Sequence, residues 1–279
     1  MSLTIKYLQH LQLEGKSLNT LDTYRYHLIA FFTWVKENGH ELDGLRPAHL
    51  FDFKEVLLKE GKSERTVNGI ISCVRGYFDY LVLNEVVKMN PVSKLLQIKV
   101  ADYRQDRLTD EQLNHFYHFI DALQVNVRAA FYLMLATGAR VSEIADLTKV
   151  DFSIENDKLF VDIPDANWGS VRKVPVLNVK AAQILVDYLA DLEVTDLPAF
   201  RVSKRTLQRY AYIFSEQYGI QFSCHALRHT FATILLENGV QIEKIQYLLG
   251  HRSITLARQY KQPAFMNVND LDPSVWVQT

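Results

Sequence analysis

The sequence of 279 residues lacks most of the features that would place a protein in a special class. Its two cysteines, Cys73 and Cys224, match neither a disulfide framework nor the spacing of zinc ligands, so we expect a reducing compartment, the cytoplasm. No apolar run approaches the roughly 18 residues of a transmembrane helix. The first residues, MSLTIKYLQHLQLEG, lack the basic and apolar regions of a signal peptide. We therefore expect no membrane partner.

An excess of charge of one sign is also missing. The chain has 31 basic and 32 acidic residues, and its formal net charge is −1. A protein that coats nucleic acid without selectivity is usually basic, so that class is disfavoured. A neutral total still permits a local basic face. Residues 201–210 (RVSKRTLQRY) carry four basic residues and no acidic one, which makes them a candidate for such a face.

Apolar residues make up 48% of the chain, and most of them recur at helical spacing. A polar, charged segment with little periodicity, residues 97–107, separates two halves. In the second half, residues 158–163 and 171–176 flank a turn-like segment, which predicts a β-hairpin. The helical spacing is clear at Leu21, Tyr24, Leu28, Phe31, Phe32 and Val35, at Val67, Ile70, Ile71, Val74, Phe78 and Leu81, and after Thr109, which forms a capping box with Gln112.

A series of polar residues in the last half of the chain points to one chemistry. Arg140 stands in ATGARVSEIADL, His225 and Arg228 in CHALRHTFAT, His251 in LLGHRS and Tyr260 in ARQYKQ. A guanidinium fork fits two non-bridging phosphate oxygens. Histidine moves protons near neutral pH, and tyrosine can hold a phosphoryl group covalently. The set therefore predicts a site that acts on a phosphodiester.

Local sequence indicates how these side chains are presented. His225 and Arg228 are three residues apart, so a helix that begins near His225 projects both from one face. Glycines before Arg140 and His251 suit helix ends, which leaves both residues at turns. Glu143 follows Arg140 by three residues, and we interpret it as the structural partner of Arg140 rather than as a catalytic group.

The series resembles the tyrosine recombinases, the phage-integrase and Xer-type family. ATGARVSEIADL looks like the family's first arginine box, and HALRHTFAT followed by LLGHRSITLARQY looks like its second. Tyr260 follows His251 by nine residues, which also fits. The resemblance covers nearly the whole chain. It implies a mainly α fold in two domains: a helical, SAM-like core-binding DNA-binding domain (residues 1–98), a linker (99–107), and an α+β catalytic domain with a small antiparallel sheet or hairpin (108–279).

The resemblance also implies an activity, that of a site-specific DNA strand transferase. Tyr260 would attack the scissile phosphate, forming a 3′-phosphotyrosyl link and releasing a 5′-hydroxyl. Arg140 and Arg228 would clamp the phosphate oxygens, His225 would relay the tyrosine proton, and His251 would hydrogen-bond the phosphate. No cofactor or metal is expected. The expected partners are double-stranded DNA with inverted-repeat core sites and further copies of the chain, as a tetramer in the synapse. A paralogous recombinase or an accessory protein is left open.

One position departs from the family pattern. The family usually has a lysine in the hairpin turn as the acid for the leaving 5′-oxygen, eight positions before the proline of the second strand. That proline is Pro175 here, and the corresponding residue is Asn167, which cannot donate a proton as an acid. Three interpretations stay open: Lys173 or Lys158 substitutes, water protonates the oxygen slowly, or the chain binds DNA but is impaired in cleavage.

The resemblance extends to surfaces that contact DNA or other copies. Candidate DNA contacts are Lys62, Arg65 and Arg75 in the first domain and Arg201, Lys204, Arg205 and Arg209 in the second. The tail after Tyr260 carries six apolar side chains that need a burial site: Phe265, Met266, Val268, Leu271, Val275 and Trp276. In the family such a tail docks on a neighbouring protomer, and we expect the same here. Packing on its own domain is the alternative.

Three other functions compete with a recombinase. A DNA-binding homologue with weak catalysis is suggested by Asn167, and covalent trapping on nicked DNA would separate it. A type IB topoisomerase-like relaxase shares the phosphotyrosine chemistry but would relax plasmid DNA without site preference. A histidine-rich metallohydrolase would be sensitive to chelators, although the histidines lack metal-ligand spacing. Dimer resolution of chromosomes or plasmids, co-integrate resolution, and integration or excision of a mobile element would all use the same site.

Overall fold

The computed structural model describes residues 3–100, 107–164 and 171–250, together with Val268 and Leu271. The chain divides into two compact units, Met1–Tyr103 and Arg104–Thr279, and each has its own hydrophobic core. The limits predicted for the domains and the linker, residues 1–98, 99–107 and 108–279, remain a prediction.

The first unit is built from helices. Ser17 and Ser63 start its two longest helices, because each side chain accepts a hydrogen bond from the backbone N–H three residues later. Leu28, Phe31 and Phe78 are fully buried where these helices pack. The helices are α1 (Leu3–Leu13), α2 (Leu18–Glu37), α3 (Pro47–Lys59) and α4 (Glu64–Leu83), with short 3₁₀ helices at Leu42–Gly44 and Lys94–Leu96.

The second unit packs helices around a small antiparallel sheet. Its strands β1 (Phe152–Glu155), β2 (Lys158–Pro164) and β3 (Val171–Pro175) lie in the order β1-β2-β3, with Val161 opposite Val174. Helix α6 lies at the centre, since ten of its 13 residues are buried. The helices are α5 (Asp110–Asp121), α6 (Val125–Thr137), α7 (Val141–Asp146), α8 (Val179–Ala190), α9 (Lys204–Tyr218), α10 (Cys224–Glu237) and α11 (Ile242–Leu249), with a 3₁₀ helix at Lys149–Asp151.

The predicted fold class is confirmed: a mainly α chain with a helical first domain and an α+β second domain. The Thr109 capping box starts α5, and the predicted hairpin is β2 and β3. Strand β1 was not predicted, because its four residues end in a turn at Asn156 and Asp157 that carries neither glycine nor proline; both residues adopt positive φ. Within the described ranges, no helix is long and apolar enough to cross a membrane.

Two helices of the second unit end on glycines that are tightly surrounded. Gly138 ends α6 at φ 64° and Gly250 ends α11 at φ 65°, both left-handed. A Cβ at Gly138 would lie 2.5 Å from Phe231 Cδ1 and 2.8 Å from Leu249 Cδ2. The end of α6 can therefore approach α10 and α11 closely only because residue 138 has no side chain.

Gly138→Ala should destabilise the second unit more than the same change at another helix end. It combines left-handed strain with overpacking, so we expect a loss of about 2–5 kcal/mol in the free energy of unfolding. Gly219 is the matched control: it ends α9 at φ 62° but has open space around its Cβ position. Gly219→Ala should cost about 1–2 kcal/mol. Urea denaturation followed by circular dichroism would measure both, and equal losses would contradict the close approach.

Candidate active site

A cavity of about 540 Å³ in the second unit collects three residues of the predicted series, Arg140, His225 and Arg228. They come from the start of α7 and the first turns of α10, which are far apart in sequence. The remaining lining residues are Ala139, Val141, Ser142, Lys204, Gln208, Ala211, Tyr212, Phe222, Ser223 and Cys224. The fold thus assembles in one place what the sequence presents in separate motifs.

Arg228 is held by the ends of two helices. Its side chain projects from α10, and the residue is 4% exposed. Nη1 donates to the carbonyl of Gly138 at 2.9 Å, and Nη2 donates to the carbonyl of Leu249 at 2.6 Å. Carbonyls at a helix C-terminus carry partial negative charge and favour a cation. A guanidinium has five N–H donors, which is more than these two carbonyls use.

Arg140 is held by Glu143 at the start of α7. The carboxylate of Glu143 accepts from the backbone N–H of Arg140 at 2.6 Å and from Nη1 of Arg140 at 2.8 Å. This confirms the predicted partnership between the two. Glu143 also pairs with Arg172 of β3, which sequence analysis did not identify. Burial pushes the pKa of Glu143 up, but the hydrogen bonds and charges of Arg172 and Arg140 outweigh burial, and its net pKa is lowered.

The charges at the cavity favour an anion. Arg140 and Arg228 line the cavity, and Arg172 adds a third positive charge next to it, against the one carboxylate of Glu143. Burial and the neighbouring charges of Arg140 and Arg172 together lower the pKa of Arg228 to about 10. Arg228 therefore remains charged at neutral pH. The first turn of α10 also lines the cavity, and a helix N-terminus carries partial positive charge. The site can therefore bind one phosphate group through charge-assisted hydrogen bonds.

His225 lies on the exposed side of α10 at the cavity, with His229 one turn later. The two rings meet edge to face, with centroids 4.7 Å apart. Burial lowers the pKa of His225 below its usual 6.5, and the nearby charges of His229, Arg228 and Arg140 lower it further. His225 is therefore neutral at pH 7, which is the form that can accept a proton.

The other predicted catalytic residues are not among those that line the cavity in the described part of the chain. His251, Tyr260 and Asn167 are outside the described residues. Lys173 pairs with Glu155 and lies over the ring of Phe160 at 5.1 Å. It follows Arg172 on the strand and therefore points to the opposite face of the sheet.

A lysine does line the cavity, but it is neither of the two that sequence analysis offered as substitutes. Lys158 donates from Nζ to the carbonyl of Leu271 at 3.1 Å, and Lys173 engages Glu155. Neither lines the cavity, whereas Lys204 at the start of α9 does. Of the described lysines, Lys204 is thus the one best placed to act there.

The candidate DNA contacts differ in how they are presented. Arg65 is exposed near the start of α4, and Lys62 just before that helix pairs with Glu60 at 2.7 Å. Arg75 is partly buried, and its Nε and Nη2 atoms are shielded from solvent, so it is poorly placed for a duplex. Arg201, Lys204, Arg205 and Arg209 are all exposed at and along the start of α9. Of these four residues, Lys204 also lines the cavity.

The sequence of β3 carries a signal for Arg172. In β3, the alternate residues Arg172 and Val174 face the core. A charged residue therefore occupies a position where the alternation of the strand would place an apolar one. Buried arginines require partners, and the partner found is Glu143. Among the described residues, no cluster of three or more histidine, cysteine, aspartate or glutamate side chains could hold a metal ion.

Comparison with known proteins identifies the family. Residues 106–266 match the phage integrase family, and residues 5–85 match the phage integrase N-terminal SAM-like domain. The chain belongs to the phage integrase family. The expected kinship with tyrosine recombinases is confirmed. Tyrosine recombinase XerA of Pyrococcus furiosus is 30% identical over 268 residues, a match covering 91% of this chain and 87% of that protein.

Solved structures of integrases share the fold of this chain. The Tn1549 transposon integrase in complex with circular intermediate DNA has a TM-score of 0.72 at 19% identity, with 95% of this chain and 97% of that chain covered. A lambda integrase tetramer bound to a Holliday junction has a TM-score of 0.68 at 21% identity, with 90% and 76% covered. Tyrosine recombinases cleave and join DNA strands, so this phage integrase family member is an enzyme, a DNA strand transferase.

The pKa of His225 should be measurably low. Imidazole signals followed by NMR across a pH titration should place the midpoint of His225 below 6.5, the usual value. His229→Gln should raise that midpoint, because it removes a charge that disfavours protonation of His225. His115→Gln is the control: His115 stacks on Tyr218 and is not among the groups that shift His225. A His225 midpoint at or above 6.5 in the unmodified chain would contradict the described site.

Proposed function

We propose that this chain is a site-specific recombinase that cuts and rejoins DNA through a 3′-phosphotyrosyl intermediate. The observation that carries the proposal is the meeting of Arg140, His225 and Arg228 in one cavity, each in a motif that resembles one of the family's arginine boxes. Two guanidiniums and a neutral imidazole at one cavity suit a phosphodiester that is to be attacked.

The chemistry balances without a co-reactant. Tyr260 loses its phenolic proton to His225 and forms an O–P bond, while the bond from phosphorus to the 5′-oxygen breaks. Arg140 and Arg228 stabilise the charge that develops on the non-bridging oxygens, and His251 donates a further hydrogen bond. The 5′-oxygen takes up a proton from water or from a lysine such as Lys204 as it leaves. A 5′-hydroxyl of the partner strand then reverses the step, so the energy of the phosphodiester is conserved.

The proposed partners are double-stranded DNA with inverted-repeat core sites and three further copies of the chain in the synapse. The Tn1549 transposon integrase of the same fold binds circular intermediate DNA, and a lambda integrase tetramer binds a Holliday junction, which supports this proposal. On the chain itself, the exposed basic residues of α9 adjoin the cavity and suit a phosphate backbone. Two buried, unpaired cysteines suit a reducing compartment such as the cytoplasm.

The tail differs from the sequence expectation in part. Val268 and Leu271 are 5% and 6% exposed and belong to the core of their own unit. For these two residues the expectation of docking on a neighbour was wrong, because the core of the second unit buries them. Phe265, Met266, Val275 and Trp276 lie outside the described residues. A role of these four in assembly remains part of the proposal.

Tyr260→Phe should abolish covalent attachment and leave DNA binding intact, because it removes only the attacking oxygen. A suicide substrate with a nick next to the scissile phosphate traps the adduct, which denaturing electrophoresis resolves. The unmodified chain should form the adduct in excess EDTA as well. Tyr247→Phe is the control, since Tyr247 lies on α11 outside the cavity lining. An adduct that persists in Tyr260→Phe would disprove the assignment of the nucleophile.

Asn167 should limit protonation of the leaving oxygen. A substrate with a 5′-phosphorothiolate, whose sulfur leaves without a proton, should then be cleaved much faster than normal DNA, and Asn167→Lys should accelerate cleavage of normal DNA. Equal rates on the two substrates would show that another group supplies the proton. In that case Lys204→Ala should make cleavage of the 5′-phosphorothiolate substrate faster than cleavage of normal DNA. Lys173→Ala should leave the two rates equal, because Lys173 pairs with Glu155 and does not line the cavity.

The second candidate function is a DNA-binding homologue with weak catalysis, and Asn167 is the observation that favours it. The same substrates decide between the two. A chain that binds its half-site tightly but forms no adduct on either the normal or the sulfur-containing suicide substrate would be a binding protein. An adduct on the sulfur-containing substrate would show that the nucleophile and the phosphate clamp are intact.

A further inference from the structure

Arg172 is a buried arginine outside the set of predicted catalytic residues. Its side chain is 7% exposed, and it lies on the core-facing side of β3 between the sheet and the helices that form the site. It does not line the cavity. Burial of a guanidinium costs free energy unless every donor has a partner. The hydrogen-bond partners of Arg172 therefore indicate its role.

Arg172 bonds to Glu143, which holds Arg140, and to the carbonyl of Leu248, which lies next to the carbonyl that holds Arg228. Nη1 and Nη2 donate to the two oxygens of Glu143 at 3.0 Å and 2.7 Å, and Nε donates to the carbonyl of Leu248 at 2.9 Å. The same two oxygens accept from Arg140, at 2.8 Å from Nη1 and 2.6 Å from the backbone. Leu248 precedes the residue whose carbonyl holds Arg228.

The geometry of these bonds limits how Glu143 can turn. A fork that bonds both oxygens fixes the plane of the carboxylate, which a single donor could not do. Arg140 bonds to the same oxygens, so its direction at the cavity follows that plane. The guanidinium also lies against Gly250, where a Cβ would come within 3.0 Å of Nη1. The fork therefore sits between the start of α7 and the end of α11.

We propose that Arg172 is a positioning residue for strand cleavage: through Glu143 it aims the Arg140 guanidinium at the scissile phosphate, without touching the phosphate itself. The proposal rests on the proposed recombinase function. A merely structural ion pair would stabilise the fold and affect every activity of the chain alike. A positioning residue affects the cleavage step and leaves DNA binding unchanged.

Arg172→Met and Arg172→Lys test the proposal, with Arg107→Met as the matched control. Arg107 resembles Arg172 in its bonds, since it pairs with Asp110 and Glu237 and donates to the carbonyl of Leu108, but none of these partners bonds to Arg140 or Arg228. Arg172→Met should slow adduct formation at saturating nicked DNA by about 100-fold, the order of effect of a misplaced catalytic group. Half-site affinity should be unchanged, and Arg107→Met should cleave at the unmodified rate.

A double-mutant cycle separates positioning from simple destabilisation. If Arg172 acts through Arg140, then Arg172→Met should cause little further loss in a chain that already carries Arg140→Lys. The role of Arg172 would be overturned if the two substitutions reduced the rate of adduct formation by independent factors. It would also be overturned if Arg107→Met slowed adduct formation as much as Arg172→Met. If Arg172→Met does not fold, Arg172→Lys carries the test, because one ammonium cannot make the fork. Cleavage by Arg172→Lys at the unmodified rate would also overturn it.

Failure of the inference and failure of the proposed function have different signatures. If the unmodified chain forms no adduct on either the normal or the sulfur-containing nicked substrate, the recombinase function fails and the role of Arg172 falls with it. If the unmodified chain forms the adduct and Arg172→Met forms it equally fast, only the role of Arg172 is overturned.

Discussion

The guanidinium of Arg228 ties together the ends of two helices, and the rest of the site depends on that contact. The carbonyls of Gly138 and Leu249 converge on it from the ends of α6 and α11. Both helices end on left-handed glycines, and a side chain at Gly138 would collide with Phe231 and Leu249. Arg140 follows Gly138, at the end of α6, by two residues, so the contact that satisfies two helix C-termini also brings the motifs of Arg140 and Arg228 together.

The same arrangement reconciles a neutral chain with a polyanionic substrate. Net charge is −1 over the whole sequence, yet beside the cavity Arg140 and Arg172 share the one carboxylate of Glu143, and Arg228 adds a third positive charge that is bonded to backbone carbonyls. The basic residues at the start of α9 extend this positive region from Lys204 to the surface. Coulomb interactions fall off within a Debye length of roughly 8–10 Å at physiological salt, so local charge decides binding rather than the total.

Much of the fold and of the site could be predicted from the sequence, because their signals are local. Thr109 and Gln112 start α5 as a capping box, Gly250 ends α11, and the hairpin has the predicted strands. The meeting of Arg140, His225 and Arg228 followed from the family resemblance and is present in the cavity.

What escaped prediction depends on contacts between distant residues. Arg172 lies 29 residues from Glu143 and 76 from Leu248, and nothing in the local sequence of β3 names these partners. The burial of Val268 and Leu271 in their own unit likewise depends on a surface that only the folded chain forms. The lysine that reaches the cavity, Lys204, is brought there by the packing of α9 against α7 and not by any motif spacing.

The central claim is that one phosphate binds between Arg140 and Arg228 while Arg228 keeps its hold on both helix ends. The most direct measurement is a crystal structure of the Tyr260→Phe chain bound to an uncleaved target duplex. We predict the scissile phosphate within about 3 Å of guanidinium nitrogens of both arginines, with the bonds from Arg228 to Gly138 and Leu249 retained. A scissile phosphate bound outside this cavity, or an Arg228 released from the two carbonyls to reach it, would contradict the account.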